Sequence, residues 1–494
     1  MKRRMFLKSG LAALALAGVD STGLSLLGKP SFLGTAQADG FTNPLPIPPL
    51  LDNLDTSGET ATYVMDVQQG NVEFFPGEST ATLGYNGNFL GPTIRVRDGQ
   101  RFRISVNNTI PDVTTLHWHG LHVPAKWDGG PRQPIPPGTT WKPDFVINQE
   151  AATLWYHPHA MGLTGDQVYH GLAGLFLIED EVSDSLNIPK TYGVDDIPLI
   201  IQDRRFFTDG QFAYTQNTQD VINGVIGNYM LVNGTMQPTL KVPGGQVRLR
   251  LLNGSNSSIY KIGFSDWRSF QVIASDGGFL ERPVAMNSIV LSAGERAEVV
   301  VDFADVGLGR EIRLLVDQMK GTSFEAMRIM VDRPVERAVT LPEILRTVDK
   351  IPESEARLTR KFIMETMSMG GGRMGMHMMG RRLTINGKNM DINRIDEQVK
   401  LNTTEIWEIT NRSAMMMSMP HSMHLHDVQF QILSRNGKIP LPHEQGRKDT
   451  VLIMPGETVR IISRFQDYTG IYMYHCHLLE HEDDGMMGQF EVIS

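Results

Sequence analysis

The chain has 494 residues, too many for a single core, and at about 150 residues per domain its length suggests three domains. With 41% hydrophobic and 20% charged residues it has the composition of a soluble globular protein, and its net charge of −9 argues against nucleic acid or an anionic membrane as a partner. A single cysteine excludes any disulfide within the chain.

At the N-terminus, Lys2-Arg3-Arg4-Met5-Phe6-Leu7-Lys8 precedes an apolar run from Leu11 to Val19, and Ala36-Gln37-Ala38 offers a small-residue cleavage site. This resembles a twin-arginine export signal over residues 1–38, which predicts a periplasmic protein that meets the twin-arginine translocation machinery. The apolar run is well short of the roughly 20 residues a membrane span needs, and Asp20 interrupts it. Removing residues 1–38 leaves 41 basic and 54 acidic side chains, a net charge of −13.

Pro44, Pro46, Pro48 and Pro49 mark an extended lead-in. From Ala61 onward, short runs rich in Val, Ile, Thr and aromatics alternate with Gly, Pro, Asn and Asp, which predicts an all-β sandwich protein with only short helical connectors. A weak repeat supports three copies. The stretches Gly91–Asn108, Asn233–Asn253 and Ile385–Asn411 each combine a turn, an edge-like strand and an alternating strand that ends at Asn. The expected domains are 39–182, 183–345 and 346–494.

Ten of the 14 histidines sit in four clusters, two in the first domain and two in the third. Side chains two apart on a strand share a face, so His117/His119, His157/His159, His424/His426 and His475/His477 are four same-face pairs. Eight converging imidazoles exceed what one metal takes, and because the middle domain has no histidine, the first and third domains must meet. Pro158 cannot donate to a sheet ladder, so His157 and His159 are expected at a strand end or edge. Cys476 faces away from His475 and His477, and His421 faces away from His424. A thiolate, two imidazoles and a more distant thioether make a blue-copper ligand set, which Cys476, His421, His481 and Met486 would supply.

These motifs, His-Trp-His-Gly at 117–120, His-Pro-His at 157–159, His-x-x-His-x-His at 421–426 and His-Cys-His-x-x-x-His-x-x-x-x-Met at 475–486, resemble those of the multicopper oxidases, and among them the bacterial periplasmic cuprous oxidases. The resemblance covers the mature chain. It implies three cupredoxin-like Greek-key β-sandwiches, four copper ions, and a monomer that couples one-electron oxidation of a donor to reduction of O2 to water. By that resemblance His421, Cys476, His481 and Met486 hold type 1 copper. His117 and His424 hold type 2 copper, and His119, His157, His159, His426, His475 and His477 hold the type 3 pair. Asp128 and Glu482 match acids that deliver protons to the cluster in the family.

The donor is read from methionine. Met364, Met367, Met369, Met374, Met376, Met378 and Met379 crowd around Gly370-Gly371-Gly372, and the stretch lacks Leu, Ile and Val from Glu365 to Arg382. Thioethers prefer Cu(I), so the 364–379 segment, with Met417 and Met419 near His421, predicts a cuprous-ion site and a role in copper tolerance. Two positions depart from the family pattern. Met417 stands where the similar cuprous oxidases carry an acid, and Asp427 stands where the family often has Gly. The alternatives are a laccase-like oxidase of phenols or bilirubin and a non-redox copper-binding or structural protein.

Overall fold

Alternating apolar and polar residues, punctuated by turn formers, leave the chain little choice but strands, and strands with one apolar face must pair into sheets that stack. The computed structural model describes residues 40–215, 217–335, 340–366, 383–412 and 419–494. The expected signal at 1–38 therefore lies outside the described residues, as do Met367, Met369, Met374, Met376, Met378, Met379 and Met417.

The described strands form six sheets that stack as three successive sandwiches. All three sandwiches repeat the same pairings. In one sheet of each, two strands run parallel: Thr60–Phe75 beside Arg101–Asn108, Asp196–Arg204 beside Gln246–Asn253, and Ala356–Thr366 beside Thr403–Arg412. In the facing sheet the equivalent parallel pairs are Ile94–Arg97 with Gly174–Glu179, Thr239–Gly244 with Ser323–Pro334, and Glu397–Lys400 with Met487–Ile493. The helices Thr164–Tyr169, Thr218–Asn223 and Leu479–Asp483 are single-turn connectors, as the lack of helical periodicity predicts. Among the described residues no helix is long and apolar enough to cross a membrane.

The asparagine ending each repeat has a structural reason. Asn108, Asn253 and Asn411 are buried, and the amide of each donates to two carbonyls of following loops: Asp112 and Ile135, Ser258 and Leu291, Met419 and Ile453. Removing such an amide strands two buried acceptors. Asn253→Ala is therefore expected to destabilise the protein by about 2 kcal/mol, read as a lower thermal midpoint in calorimetry.

One expectation is corrected here. Met364 is fully buried on the strand Ala356–Thr366, where it alternates with Phe362 and packs in the core that Leu383, Ile385 and Trp407 also line. Strand parity turns it inward, so it is a core residue and not a cuprous-ion ligand.

Candidate metal centre

In the first sandwich, His117–His119 is an edge strand paired with Ala152–His157, and the register sets His117 opposite His157. That second strand ends at His157, immediately before Pro158, as the missing N–H of proline requires. In the third sandwich, His421–Leu425 pairs with Gly470–Cys476, with His424 opposite His475 and Met423 opposite Cys476. Two antiparallel ladders thus present all eight paired histidines, and every one of them is buried.

The ladders meet. The Nε2 atoms of His426 and His159 each lie 3.2 Å from Nε2 of His475. The rings of His117 and His426 stack at 3.8 Å between centroids, and those of His119 and His424 at 3.7 Å. His477 lies 4.8 Å from His119 and 5.4 Å from His157.

Six of these rings carry a buried nitrogen with no hydrogen-bond partner: Nε2 of His117, His157 and His424, Nδ1 of His119 and His159, and both nitrogens of His477. An unpaired polar atom in a dry interior costs about 1–3 kcal/mol, so this many orphans in one place fit a cluster built to hold cations. The opposite nitrogen of most rings is anchored. Nδ1 donates to the carbonyl of Asp128 from His117, of Pro158 from His157 and of Asp449 from His424, at 2.8–2.9 Å. His119 is anchored the other way round, with Nε2 at 3.0 Å from Asp449 Oδ1 and Thr450 Oγ1. Burial, reinforced in most of them by neighbouring imidazoles, holds these histidines well below their ordinary pKa, His157 at about 3 and His475 at about 4. They are neutral ligands with free lone pairs, and the donor set suits copper.

On the opposite face of the strand Gly470–Cys476, Cys476 Sγ lies 3.5 Å from His421 Nδ1 and 3.6 Å from His481 Nδ1. The single-turn helix Leu479–Asp483 carries His481, and the backbone returns so that Met486 donates to the carbonyl of His481 and accepts from the N–H of Cys476, both at 2.9 Å. Met486 is fully buried beside this group. Burial pushes the Cys476 thiol up to about 12, a cost that only a bound cation would reverse. His481 Nε2 donates to the carbonyl of Ile222 at 2.9 Å, so its outer edge is capped by the helix Thr218–Asn223.

Both acids flagged in the sequence sit directly behind ligands. Asp128 Oδ2 accepts from His426 Nδ1 at 2.8 Å, and the Glu482 carboxylate lies 3.3 Å from His159 Nδ1 and 3.2 Å from His475 Nδ1. Burial raises both well above the usual carboxylate range. Asp427 also gains an account. It adopts a left-handed φ of 69°, which explains why Gly suits the position, and its carboxylate holds His122 Nδ1 at 2.9 Å and the N–H of Val123 at 3.2 Å. It clips the loop after His119 onto the third sandwich. Met419, expected to take Cu(I), accepts from Lys320 Nζ at 2.9 Å, so one of the two lone pairs of its sulfur is already engaged by an ammonium. Sequence reasoning missed Asp449, Thr450 and the Ile222 carbonyl, none of which belongs to a spacing pattern.

Three cupredoxin-type sandwiches with one thiolate-imidazole cluster and one eight-imidazole cluster define a protein built to bind metal at two kinds of site. Family models described as multicopper oxidase match residues 66–183, 201–307 and 363–494, and the chain belongs to the multicopper oxidase family. It is 39% identical to the multicopper oxidase mco of Staphylococcus aureus, over 91% of this chain and 92% of that one. It is also 36% identical to the cell division protein FtsP of Escherichia coli, over 92% and 94%. A laccase from Pediococcus acidilactici shares its structure with a TM-score of 0.83 and 37% identity, covering 92% of this chain and 94% of that one.

Proposed function

We propose that this protein is an exported cuprous oxidase of copper tolerance, which carries four copper ions and couples oxidation of Cu(I) to Cu(II) with reduction of O2 to water. The observation that carries the choice of donor is the closed outer edge of His481. An organic donor such as a phenol or bilirubin needs a pocket against that ring. Among the described residues the edge is capped by the carbonyl of Ile222, and the nearby cavity lined by Met419, Pro420 and Leu478 has a volume of about 20 Å³, room for about one or two waters. A metal ion needs no such pocket, and the methionines between Met367 and Met379 would recruit it. The intact donor set, with Cys476 and all ten clustered histidines present, favours redox chemistry over a purely structural role.

Copper, when bound, would supply one-electron transfer at the thiolate site and O2 reduction at the histidine cluster. The chain supplies the rest. Cys476 is joined by single peptide links to His475 and His477, a short covalent route between the two sites. The carbonyls behind His117, His157 and His424 fix each ring with Nε2 facing the cluster. Asp128 and Glu482 place carboxyl groups against His426, His159 and His475, where the four protons needed for water formation would be handed on. The twin-arginine-like N-terminus supports assembly before export to the periplasm.

Oxygen uptake by copper-loaded protein, measured side by side with Cu(I) and a phenol, tests the assignment. Deleting residues 366–380 is expected to lower Cu(I) oxidation several-fold while phenol oxidation stays level or rises. An unchanged steady-state Cu(I) rate would overturn the recruitment role, and a faster wild-type rate with the phenol would favour the laccase-like alternative.

A further inference from the structure

The middle sandwich has no histidine, yet it reaches the cluster. Its loop 292–296, between the strands Ser288–Leu291 and Arg296–Asp302, packs against His477 so closely that a Cβ on Gly294 would lie 2.9 Å from the ring. Ser292 Oγ meets Ser422 Oγ at 2.9 Å, between the thiolate-site ligand His421 and the ligands that follow it. Arg296 closes the loop, and its side chain has no exposed surface.

All five N–H donors of the Arg296 guanidinium are satisfied, by groups from all three sandwiches. Nε donates to the carbonyl of Thr153 in the first, at 3.0 Å. The two terminal nitrogens donate to the carbonyls of Gly294 and Asp276 in the second, at 3.0 and 3.1 Å. They also grip both oxygens of Asp449 in the third, at 2.7 and 2.6 Å. Asp449 Oδ1 is then the acceptor for His119 Nε2. Asp449 has ligand-like proximity to His119 and His424, but a bidentate guanidinium occupies both of its oxygens, so it acts on the ring and not on a metal.

We propose that Arg296 is a positioning residue for the histidine cluster. Through Asp449 it fixes the proton of His119 on Nε2, which makes Nδ1 the nitrogen that binds copper, and so gives the middle sandwich a part in assembling a centre to which it contributes no ligand. The inference rests on the eight histidines holding copper. Without the carboxylate so held, His119 is free to turn or to change tautomer, and outer partners of this kind commonly contribute 10–100-fold in metal affinity.

The test uses copper-loaded full-length protein. In Arg296→Met, the visible thiolate absorption of the Cys476 site is expected to persist, which reports an intact fold. Retention of cluster copper against a chelator should fall roughly 10–100-fold, and copper that was magnetically coupled should become visible by electron paramagnetic resonance. Arg296→Lys, which keeps the charge but loses the fork, should be intermediate. The double variant Arg296→Met/Asp449→Leu replaces a buried ion pair by apolar groups, a change often neutral for stability. It should fold and keep the visible band yet lack the coupled copper. In reduced, copper-loaded wild-type protein, nitrogen-15 histidine spectra are expected to show His119 protonated at Nε2. Protonation at Nδ1, or wild-type retention of coupled copper in either methionine variant, overturns the proposal. Absence of coupled copper from the wild type overturns the cluster assignment itself, and this inference with it.

Discussion

Cys476→Ser is expected to abolish both the visible thiolate-to-copper absorption and oxidase turnover, with either donor. The thiolate is the only sulfur ligand with anionic character in the chain, and it faces His421 and His481 at 3.5 and 3.6 Å with no second cysteine to take its place. A serine hydroxyl is a hard, weakly acidic donor that does not bind copper in competition with imidazole, and it offers no sulfur orbital to carry an electron toward His475 and His477. The fold should survive. The substitution is nearly isosteric, and the new hydroxyl has His421 Nδ1 or His481 Nδ1 as a partner, so a loss of about 1 kcal/mol is the scale expected. Copper bound by the histidine cluster should remain, because the eight imidazoles lie on the other face of the strand. Residual visible absorption in the variant would place the blue site elsewhere, and turnover within tenfold of wild type would remove Cys476 from the electron path.

The clustering of the histidines and of Cys476 was legible in the sequence because side chains on strands obey parity. Four His-x-His pairs and one odd-face cysteine can be sorted onto faces with no structure in hand, and the two ladders of the first and third sandwiches follow that sorting. The repeat was legible for a related reason, since Asn108, Asn253 and Asn411 close equivalent strands by equivalent hydrogen bonds. What holds the ligands was not legible. Asp449 and Arg296 lie 153 residues apart in the chain and on different sandwiches, and nothing local distinguishes either from a surface ion pair. The cap on His481 is a backbone carbonyl, which any residue at 222 would provide, so composition carries no trace of it. Met364 misled because sequence proximity grouped it with the methionines that follow, while the strand Ala356–Thr366 continued far enough to turn it into the core. Density of a residue type points to chemistry only where the backbone does not already have a use for that residue.

Glu482→Gln is expected to lower steady-state O2 reduction roughly 100-fold while leaving copper content and the visible band unchanged. The two side chains have the same shape, and glutamine still offers one oxygen to the pair of Nδ1 atoms, 3.3 and 3.2 Å away on His159 and His475. What it cannot do is release and regain a proton. Glu482 is buried within a helix of one turn, and burial raises its carboxyl well above the usual range, which favours the form able to hand on a proton beside two rings of the cluster. The effect should be selective for the oxygen side. Mixed anaerobically with Cu(I), the variant should lose its visible band as fast as wild type, because that step involves only the outer site. On admission of O2 the band should return slowly. Asp128→Asn makes an independent comparison, since its carboxylate lies behind His426 from the first sandwich. If Glu482→Gln bleached slowly with Cu(I) but recovered normally with O2, the acid would belong to the donor side, and its place as proton carrier to the cluster would be lost.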